Sequence, residues 1–223
     1  MPLAAALLDR LGRPGDIRLG LPSRGGHPLL PTGIDALDQL LGGGLPRGRL
    51  VELAGRQSTG RTSLACTIAA HTTHQGELVG WVDPTDALDP ETVFTTGIAP
   101  TLVLWVRPRS EHDAPKAAEY LLGAGGFGLV VLDLAEAAPH LHIPWARIAR
   151  AAAQSGTTLL VLAPERRAGP YATLGLEIST RRAQWSRGPG QPTLLDGIAA
   201  ALTVARHRLG AAGRTVTVRH ACA

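Results

Sequence analysis

Apolar residues along the chain fall into short continuous runs that alternate with alanine-rich stretches. Runs of this kind are typical of strands buried on both faces, and the stretches between them have helical spacing. The runs lie at residues 50–54, 78–82, 102–106, 129–134 and 159–163, and the helical stretches at residues 62–72, 116–122 and 145–154. The alternation predicts an α/β fold with a mostly parallel sheet flanked by helices.

After residue 173 the predicted strands follow one another without intervening helices. They lie at residues 174–179, 200–206 and 215–219. Parallel neighbours need a long crossover, whereas antiparallel neighbours can be joined by a short connection. We therefore expect these strands to extend the sheet in antiparallel fashion at its carboxy-terminal edge.

The first 31 residues have a different character from the remainder. Residues 3–11 are a predicted amphipathic helix and residues 17–21 a predicted strand, followed by a linker rich in Gly and Pro at residues 22–31. The apolar residues of this arm are Leu3, Leu7, Leu8, Leu11, Ile17 and Leu19. They are too few for a separate core, so the arm must pack on the main domain or on another molecule. We divide the chain into an arm and linker (residues 1–31) and a core domain (residues 32–223).

Composition narrows the class of protein. With 223 residues, 44% of them apolar, the chain has the make-up of one globular domain rather than of a disordered protein. The longest apolar runs are far shorter than the roughly 20 residues that span a bilayer, and no basic segment precedes the first of them. Cys66 and Cys222 form no disulfide framework. We expect a reduced cytoplasmic protein without membrane association.

The charge balance favours an anionic partner. The chain has 22 basic and 18 acidic residues and a net charge of +4, and Lys116 is its only lysine. The pI is about 9.8. An excess of this size suggests a phosphate or nucleic-acid ligand but does not identify one.

The strongest single motif follows the first apolar run. Residues 55–62 read Gly-Arg-Gln-Ser-Thr-Gly-Arg-Thr between a predicted strand and a predicted helix. Apart from one position this is a phosphate-binding loop, in which Gly55 and Gly60 let backbone N–H groups face phosphate oxygens and Thr62 offers a hydroxyl to Mg²⁺. The candidate nucleotide site comprises Gly55, Ser58, Thr59, Gly60, Arg61, Thr62 and Asp133, the last at the end of a buried strand where it can hold Mg²⁺.

The exception is Arg61, which stands where the motif has lysine. A planar guanidinium is bulkier than an ammonium and seeks bidentate partners that a tight loop does not offer. We interpret the change as a sign that hydrolysis is dispensable. Two other readings remain: a chain so poor in lysine has drifted to arginine, or the segment is only a glycine-rich turn.

Several segments in the same order resemble the RecA recombinase family. They are residues 32–38 (TGIDALD), 42–49 (GGGLPRGR) and 83–90 (DPTDALDP), together with residues 15–20 (GDIRLG) in the arm. The resemblance implies a RecA-like core around the phosphate-binding loop and an arm that links subunits. It covers roughly residues 3–210.

Carried over position by position, the resemblance implies that hydrolytic groups are missing. The water-orienting glutamate of RecA proteins corresponds to Thr85, which cannot act as a carboxylate base. The glutamine that senses the γ-phosphate corresponds to Glu165. Two lysines that reach across the subunit interface correspond to Arg206 and Arg208, which we assign with the arm to a candidate subunit interface.

Basic and aromatic residues near the second half of the core are candidate contacts for DNA or a partner. They are Arg166, Arg167 and Tyr171 in a short loop, and Arg181, Arg182, Trp185 and Arg187 further on. Arginine with an aromatic side chain can contact phosphate and stack on a base, although an ordinary exposed turn has the same composition. We interpret His140 and His142 as residues that cap a loop, and we assign no metal site. We also assign no catalytic residue.

A RecA-like domain with an altered phosphate loop and no catalytic glutamate resembles the ImuA family. The resemblance implies an accessory protein of DNA repair and translesion mutagenesis that binds RecA, ImuB and, through ImuB, an error-prone DnaE-type polymerase. Because the arm is kept beside Arg61 and Thr85, our hypothesis is that the protein caps or disrupts the RecA filament and limits recombination, with single-stranded DNA as a further candidate partner. No cofactor would be required, and ATP with Mg²⁺ would bind weakly.

Two alternatives stay open at this point. The first is a DNA-stimulated ATPase with recombinase-like activity, in which Arg61 substitutes for lysine and Asp86 or Glu165 supplies the carboxylate. The second is a switch that binds ATP without cleaving it and alters partner affinity through its two states.

Overall fold

The computed structural model describes residues 28–134, 137, 140–186 and 194–221. Their centre is an eight-stranded sheet. Its strands are β3 (Leu50–Ala54), β4 (Leu78–Val82), β5 (Val103–Val106), β6 (Phe127–Asp133), β7 (Thr158–Ala163), β8 (Leu174–Ser186), β9 (Leu194–His207) and β10 (Thr215–Ala221). They lie in the order β10-β9-β8-β3-β7-β6-β4-β5. Strands β5, β4, β6, β7, β3 and β8 pair in parallel, whereas β9 and β10 are antiparallel to their neighbours.

Helices cover both faces of the parallel part. They are α1 (Asp35–Leu41), α2 (Arg61–His74), α3 (Pro90–Thr95), α4 (Ala114–Ala124) and α5 (Trp145–Ser155). One core contains α1, α2 and α3 residues such as Leu37, Leu64 and Val93. The second core lies on the opposite face, where α4 and α5 contribute Leu122 and Ile148. Strands buried on both faces must be apolar throughout, which explains the continuous runs in the sequence.

The predicted fold class is confirmed, with one correction at the carboxy-terminal edge. We expected all three late strands to be antiparallel, but β8 pairs in parallel with β3 from Val51↔Leu174 to Ala54↔Glu177. Only β9 and β10 reverse direction. Strand β8 also runs to Ser186 rather than to residue 179. Its polar second half is a strand because it pairs with β9 from Thr180↔Ala201 to Ser186↔Leu194, not because its own pattern is apolar.

The end of the predicted linker is part of a small second sheet. Strand β1 (Leu29–Leu30) pairs with β2 (Leu45–Pro46), and the Leu30 side chain is buried. The following turn is tied by Asp38, whose carboxylate accepts hydrogen bonds from Thr32 N at 2.9 Å and Thr32 Oγ1 at 2.7 Å. The division into an arm and a core at residue 32 stays a prediction, and residues 1–27 lie outside the described part. No helix within the described residues is both long and apolar enough to cross a bilayer.

Two glycines lie between α1 and β2. One is required because a side chain would not fit, and the other only because its φ is positive. At Gly44 an added Cβ would lie 2.2 Å from the Leu30 carbonyl oxygen, whereas at Gly42 nothing lies within 4 Å; both have positive φ. Gly44→Ala should therefore cost more than about 3 kcal/mol of the free energy of unfolding, and Gly42→Ala only about 1 kcal/mol. Urea unfolding of the two variants measures this, and equal losses would contradict it.

Candidate functional site

The phosphate loop joins β3 to α2 and has the backbone shape that its sequence predicts. Gly60 precedes α2 with φ +92°, and Ser58 has φ +62°, so two residues of the loop adopt the left-handed region. Gly55 accepts no side chain, because an added Cβ would lie 2.3 Å from Ile178 Cγ2 on β8. Thr59 Oγ1 donates a hydrogen bond to Arg56 O at 2.7 Å and closes the turn. The loop is therefore tightly curled, and its assignment as a phosphate-binding loop stays a prediction.

Arg61 occupies the position that a phosphate-binding lysine has in the motif, but its side chain is placed differently. Its side chain is 5% exposed, and Nη1 donates a hydrogen bond to the carbonyl oxygen of Gly55, inside the loop. The guanidinium thus contacts the loop's own backbone. The guanidinium can reach outward only if its hydrogen bond to Gly55 O breaks. Loss of a hydrogen bond to a charged group costs about 1.5–3 kcal/mol.

A cavity of about 240 Å³ opens beside the loop and brings together the Mg²⁺-ligand candidates. It contains Thr62 and the buried Asp133, which approach from α2 and the end of β6. Its lining comprises Gln57, Ser58, Gly60, Arg61, Thr62, Ser63, Ala87 and Asp133. A hydroxyl and a carboxylate are oxygen donors that suit Mg²⁺, so the residues fit a magnesium phosphate, except that the loop's cation is turned inward.

The segment after β4 is fixed by a buried carboxylate and offers no base to the cavity. Asp83 accepts hydrogen bonds from the N–H groups of Ala87 and Leu88, both at 3.0 Å. Asp86 is exposed and forms an ion pair with Arg107 at 3.3 Å. The Arg107 guanidinium in turn lies 5.0 Å from the centre of the Trp105 ring. Asp86, one of the two carboxylates considered for catalysis, is therefore paired at the surface, and Ala87 next to it lines the cavity in its place.

The other carboxylate, Glu165, lies at a second cavity of about 360 Å³ between the phosphate loop and β8. Arg56 and Thr59 of the loop line it, as do Arg166 and Glu177. Arg166 Nε pairs with Glu177 Oε1 at 2.8 Å. This cavity contains neither Thr62 nor Asp133, so Glu165 and the Mg²⁺-ligand candidates belong to different cavities.

The short loop after β7 places its candidate contact residues in different environments. Tyr171 is 45% exposed, as a contact residue should be. Arg167 instead holds the loop: its N–H donates to Glu52 Oε1 at 2.7 Å and its Nη2 to Leu141 O at 3.2 Å. Arg208 donates to Pro170 O at 3.3 Å from the neighbouring strand end. The side chains of Arg206 and Arg166 both lie next to Gly175, which places the two arginines close to each other.

The remaining predicted contacts are only partly described. Arg182 is exposed on β8, and Trp185 has a 60% exposed indole. Arg181 is placed as part of β8 without a described side chain, and Arg187 lies outside the described residues, as do Leu3, Leu7, Leu8, Leu11, Ile17 and Leu19 of the arm. The basic and aromatic cluster thus stays a prediction.

Two residues near the site were missed from the sequence. Glu52 is a buried carboxylate in β3, and Arg56 lines the second cavity. A lone glutamate in an otherwise apolar strand, Leu-Val-Glu-Leu-Ala, was the available signal for Glu52. His140 and His142 are exposed, and the described residues contain no cluster of three groups suited to a metal ion.

Comparison with known proteins places these features in a family. The model of the RecA N-terminal domain matches residues 7–153, more than half of the chain. Protein RecA of Arthrobacter sp. is 36% identical over 132 residues, which cover 58% of this chain and 38% of that protein. Protein RecA of Clavibacter michiganensis subsp. michiganensis is 38% identical over 132 residues, covering 58% and 36%. The chain therefore matches well under half the length of these relatives.

The fold is similar to a solved recombinase structure. The crystal structure of the RadB recombinase superposes with a TM-score of 0.64 at 20% identity and covers 85% of this chain and 94% of that chain. At this level of identity the likeness shows the α/β fold.

Cys66 on α2 gives a test of how dry the interior next to the site is. Burial, and secondarily the Asp133 carboxylate, raise the pKa of its thiol from 9.0 to about 12. The folded protein therefore holds one more proton than the unfolded chain between pH 9 and 12, so the free energy of unfolding falls as pH rises through that window.

In a Cys222→Ser variant we expect no alkylation of native protein at pH 8 and rapid alkylation in urea, read by mass spectrometry; rapid native labelling would contradict the buried site.

Proposed function

This chain belongs to the RecA N-terminal domain family, and from that premise we propose that it is a RecA-like accessory protein that works by binding rather than by ATP hydrolysis. Its proposed setting is the cytoplasm, in DNA repair and translesion mutagenesis after DNA damage. It binds RecA, capping or disrupting the filament and limiting recombination. It also binds ImuB and, through ImuB, an error-prone DnaE-type polymerase. The motifs that resemble the ImuA family support this assignment.

The observation that carries the non-hydrolysing role is the hydrogen bond from Arg61 to Gly55 O. A cation aimed at developing phosphate charge stabilises the transition state of phosphoryl transfer. In this chain the corresponding cation contacts a loop carbonyl, and its guanidinium is nearly buried. Turning it outward breaks that contact and alters the packing of the loop, so the site is poorly organised for catalysis.

The position of the carboxylates supports the same conclusion. Thr85 stands in place of the water-orienting glutamate, Asp86 is paired with Arg107, and Glu165 lies at the other cavity. A general base must be within hydrogen-bond reach of the attacking water. None of these three residues lines the cavity that contains Thr62 and Asp133.

A nucleotide is a ligand in this proposal and not a substrate. Thr62 and Asp133 are the residues that would hold Mg²⁺, and the N–H groups at the start of α2 would bind phosphate oxygens. ATP would supply negative charge and oxygen ligands there. No cofactor is needed for binding a protein partner.

A protein that keeps a RecA-type subunit interface but does not hydrolyse ATP would cap a filament. The arm, together with Arg206 and Arg208, would dock on a RecA subunit as another subunit does. The altered phosphate loop would then fail to propagate the filament. Arg208 is exposed and donates a hydrogen bond to Pro170 O in the loop that precedes β8, which supports a role at a surface.

One observation favours a second candidate, a DNA-stimulated ATPase with recombinase-like activity. Thr62 and Asp133 still line one cavity, so both groups that would bind Mg²⁺ are retained. This candidate requires Arg61 to leave Gly55 O when ATP binds, and it requires turnover that depends on Asp133.

Restoring the lysine tests the role assigned to Arg61. In Arg61→Lys the bond to Gly55 O is lost and a compact ammonium can reach bound phosphates, so ATP with Mg²⁺ should bind about tenfold more tightly or better, without turnover. Isothermal titration calorimetry measures the affinity. Arg61→Lys/Asp133→Ala serves as the control and should lose much of the gain, and unchanged affinity in Arg61→Lys would contradict the assignment.

Deleting residues 1–22 tests the docking proposal. We expect loss of RecA binding by at least about tenfold in a surface-immobilised assay, because the apolar face of the arm supplies buried area at the interface. Tyr120→Ala is the matched control, since it removes a 76% exposed aromatic side chain from α4 outside the proposed interface, and it should bind normally. Undiminished RecA binding by the deletion variant would overturn the docking proposal.

A further inference from the structure

Glu52 is a buried charge that nucleotide chemistry does not explain. Among the described residues three carboxylates are buried: Glu52, Asp83 and Asp133. The two aspartates lie at the carboxyl ends of β4 and β6, and Asp133 lines the cavity beside the phosphate loop. Glu52 instead occupies the middle of β3, opposite Val161 of β7 and Gly175 of β8. A carboxylate in the centre of a parallel sheet is costly unless it is fully hydrogen-bonded.

The connection between β7 and β8 explains why a carboxylate is needed at this place. The two strands are parallel and β3 lies between them, so the chain must return along the face of the sheet. Such a crossover usually contains an α-helix, which satisfies its own backbone. Here the crossover loop (residues 164–173) has only the 3₁₀ turn Gly169–Tyr171.

The backbone groups of the crossover loop therefore need partners from the sheet. Glu52 Oε1 accepts hydrogen bonds from the N–H groups of Arg167 at 2.7 Å and Ala168 at 2.6 Å. The N–H of Thr173 donates to Leu50 O at 2.9 Å. Ala168 and Ala172 are buried on the same face, where a helix side chain would otherwise pack. Without an acceptor at Glu52, two N–H groups would lose their partner, and that of Ala168 lies in the core.

We propose that Glu52 is a positioning residue that clamps the crossover loop onto the phosphate-loop strand. The clamp fixes Glu165 and Arg166, the two residues just before the clamped N–H groups, at the cavity beside Gly55, Arg56 and Thr59. The same strand that leads into the phosphate loop thereby sets the position of the loop that faces it. This role does not depend on RecA binding or on ATP.

The clamp predicts a local effect that differs between two replacements. In Glu52→Leu both hydrogen bonds are lost, so amide exchange at Arg167 and Ala168 should accelerate by about tenfold or more, and trypsin should cleave native protein after Arg166 or Arg167. Glu52→Gln keeps a carbonyl oxygen at the same place and should restore most of the protection. Exchange is followed by mass spectrometry on the full chain.

Asp83→Leu is the matched control. Asp83 is also a buried carboxylate that accepts two backbone N–H groups, those of Ala87 and Leu88. Its replacement should destabilise the protein and expose residues 87–88 while leaving the crossover loop protected. Where Glu52→Leu does not yield folded protein, Glu52→Met, which is unbranched and similar in length, replaces it.

Selective exposure of the crossover loop by the apolar variants at Glu52, with rescue by Glu52→Gln, supports the clamp. Equal exposure of that loop in Asp83→Leu would show general destabilisation and overturn the proposal. Exposure in Glu52→Gln as large as in the apolar variants would also overturn it, because the acceptor oxygen would then be irrelevant.

Discussion

The position of β3 between β7 and β8 is the constraint on which the site depends. Parallel pairing with β7 and β8 fixes β3 from Val51 to Ala54. The chain therefore leaves the sheet at Gly55, at the carboxyl ends of the parallel strands. Ile178 of β8 then forces Gly55 to remain without a side chain. The same placement obliges the β7–β8 connection to cross over β3, where Glu52 receives it. The phosphate loop and the loop facing it are thus consequences of one strand order.

Within that frame the proposed function depends on a single position of the phosphate loop, Arg61. The backbone of an anion-binding loop is retained, and so are a hydroxyl and a carboxylate suited to Mg²⁺. The cation is retained too, but it is longer and planar, and it contacts a carbonyl of the loop itself. The fold is RecA-like, and the contact of Arg61 with Gly55 O is the observation on which the proposed binding role rests.

The sequence predicted the sheet better than its edge. Strands 50–54 and 78–82 were placed to the residue, because continuous apolar runs bounded by polar or glycine residues have few alternatives. The direction of β8 was wrong because strand direction is set by the connection across β3, which local pattern does not encode. The phosphate-loop residues were predicted from their motif, and their role stays a prediction. The contact of Arg61 with Gly55 O and the anchoring of Arg167 were not predicted. The first depends on how one side chain folds back within its own loop, and the second on Glu52, which is 115 positions away in sequence.

Steady-state ATP turnover by the purified chain with Mg²⁺, measured with and without single-stranded DNA, tests the central claim most directly. Asp133→Ala measured alongside reveals contaminating ATPase. A binding protein should show no turnover above that variant under either condition. Turnover that single-stranded DNA stimulates and that Asp133→Ala abolishes would contradict the claim, because Arg61 would then have to leave Gly55 O and serve catalysis.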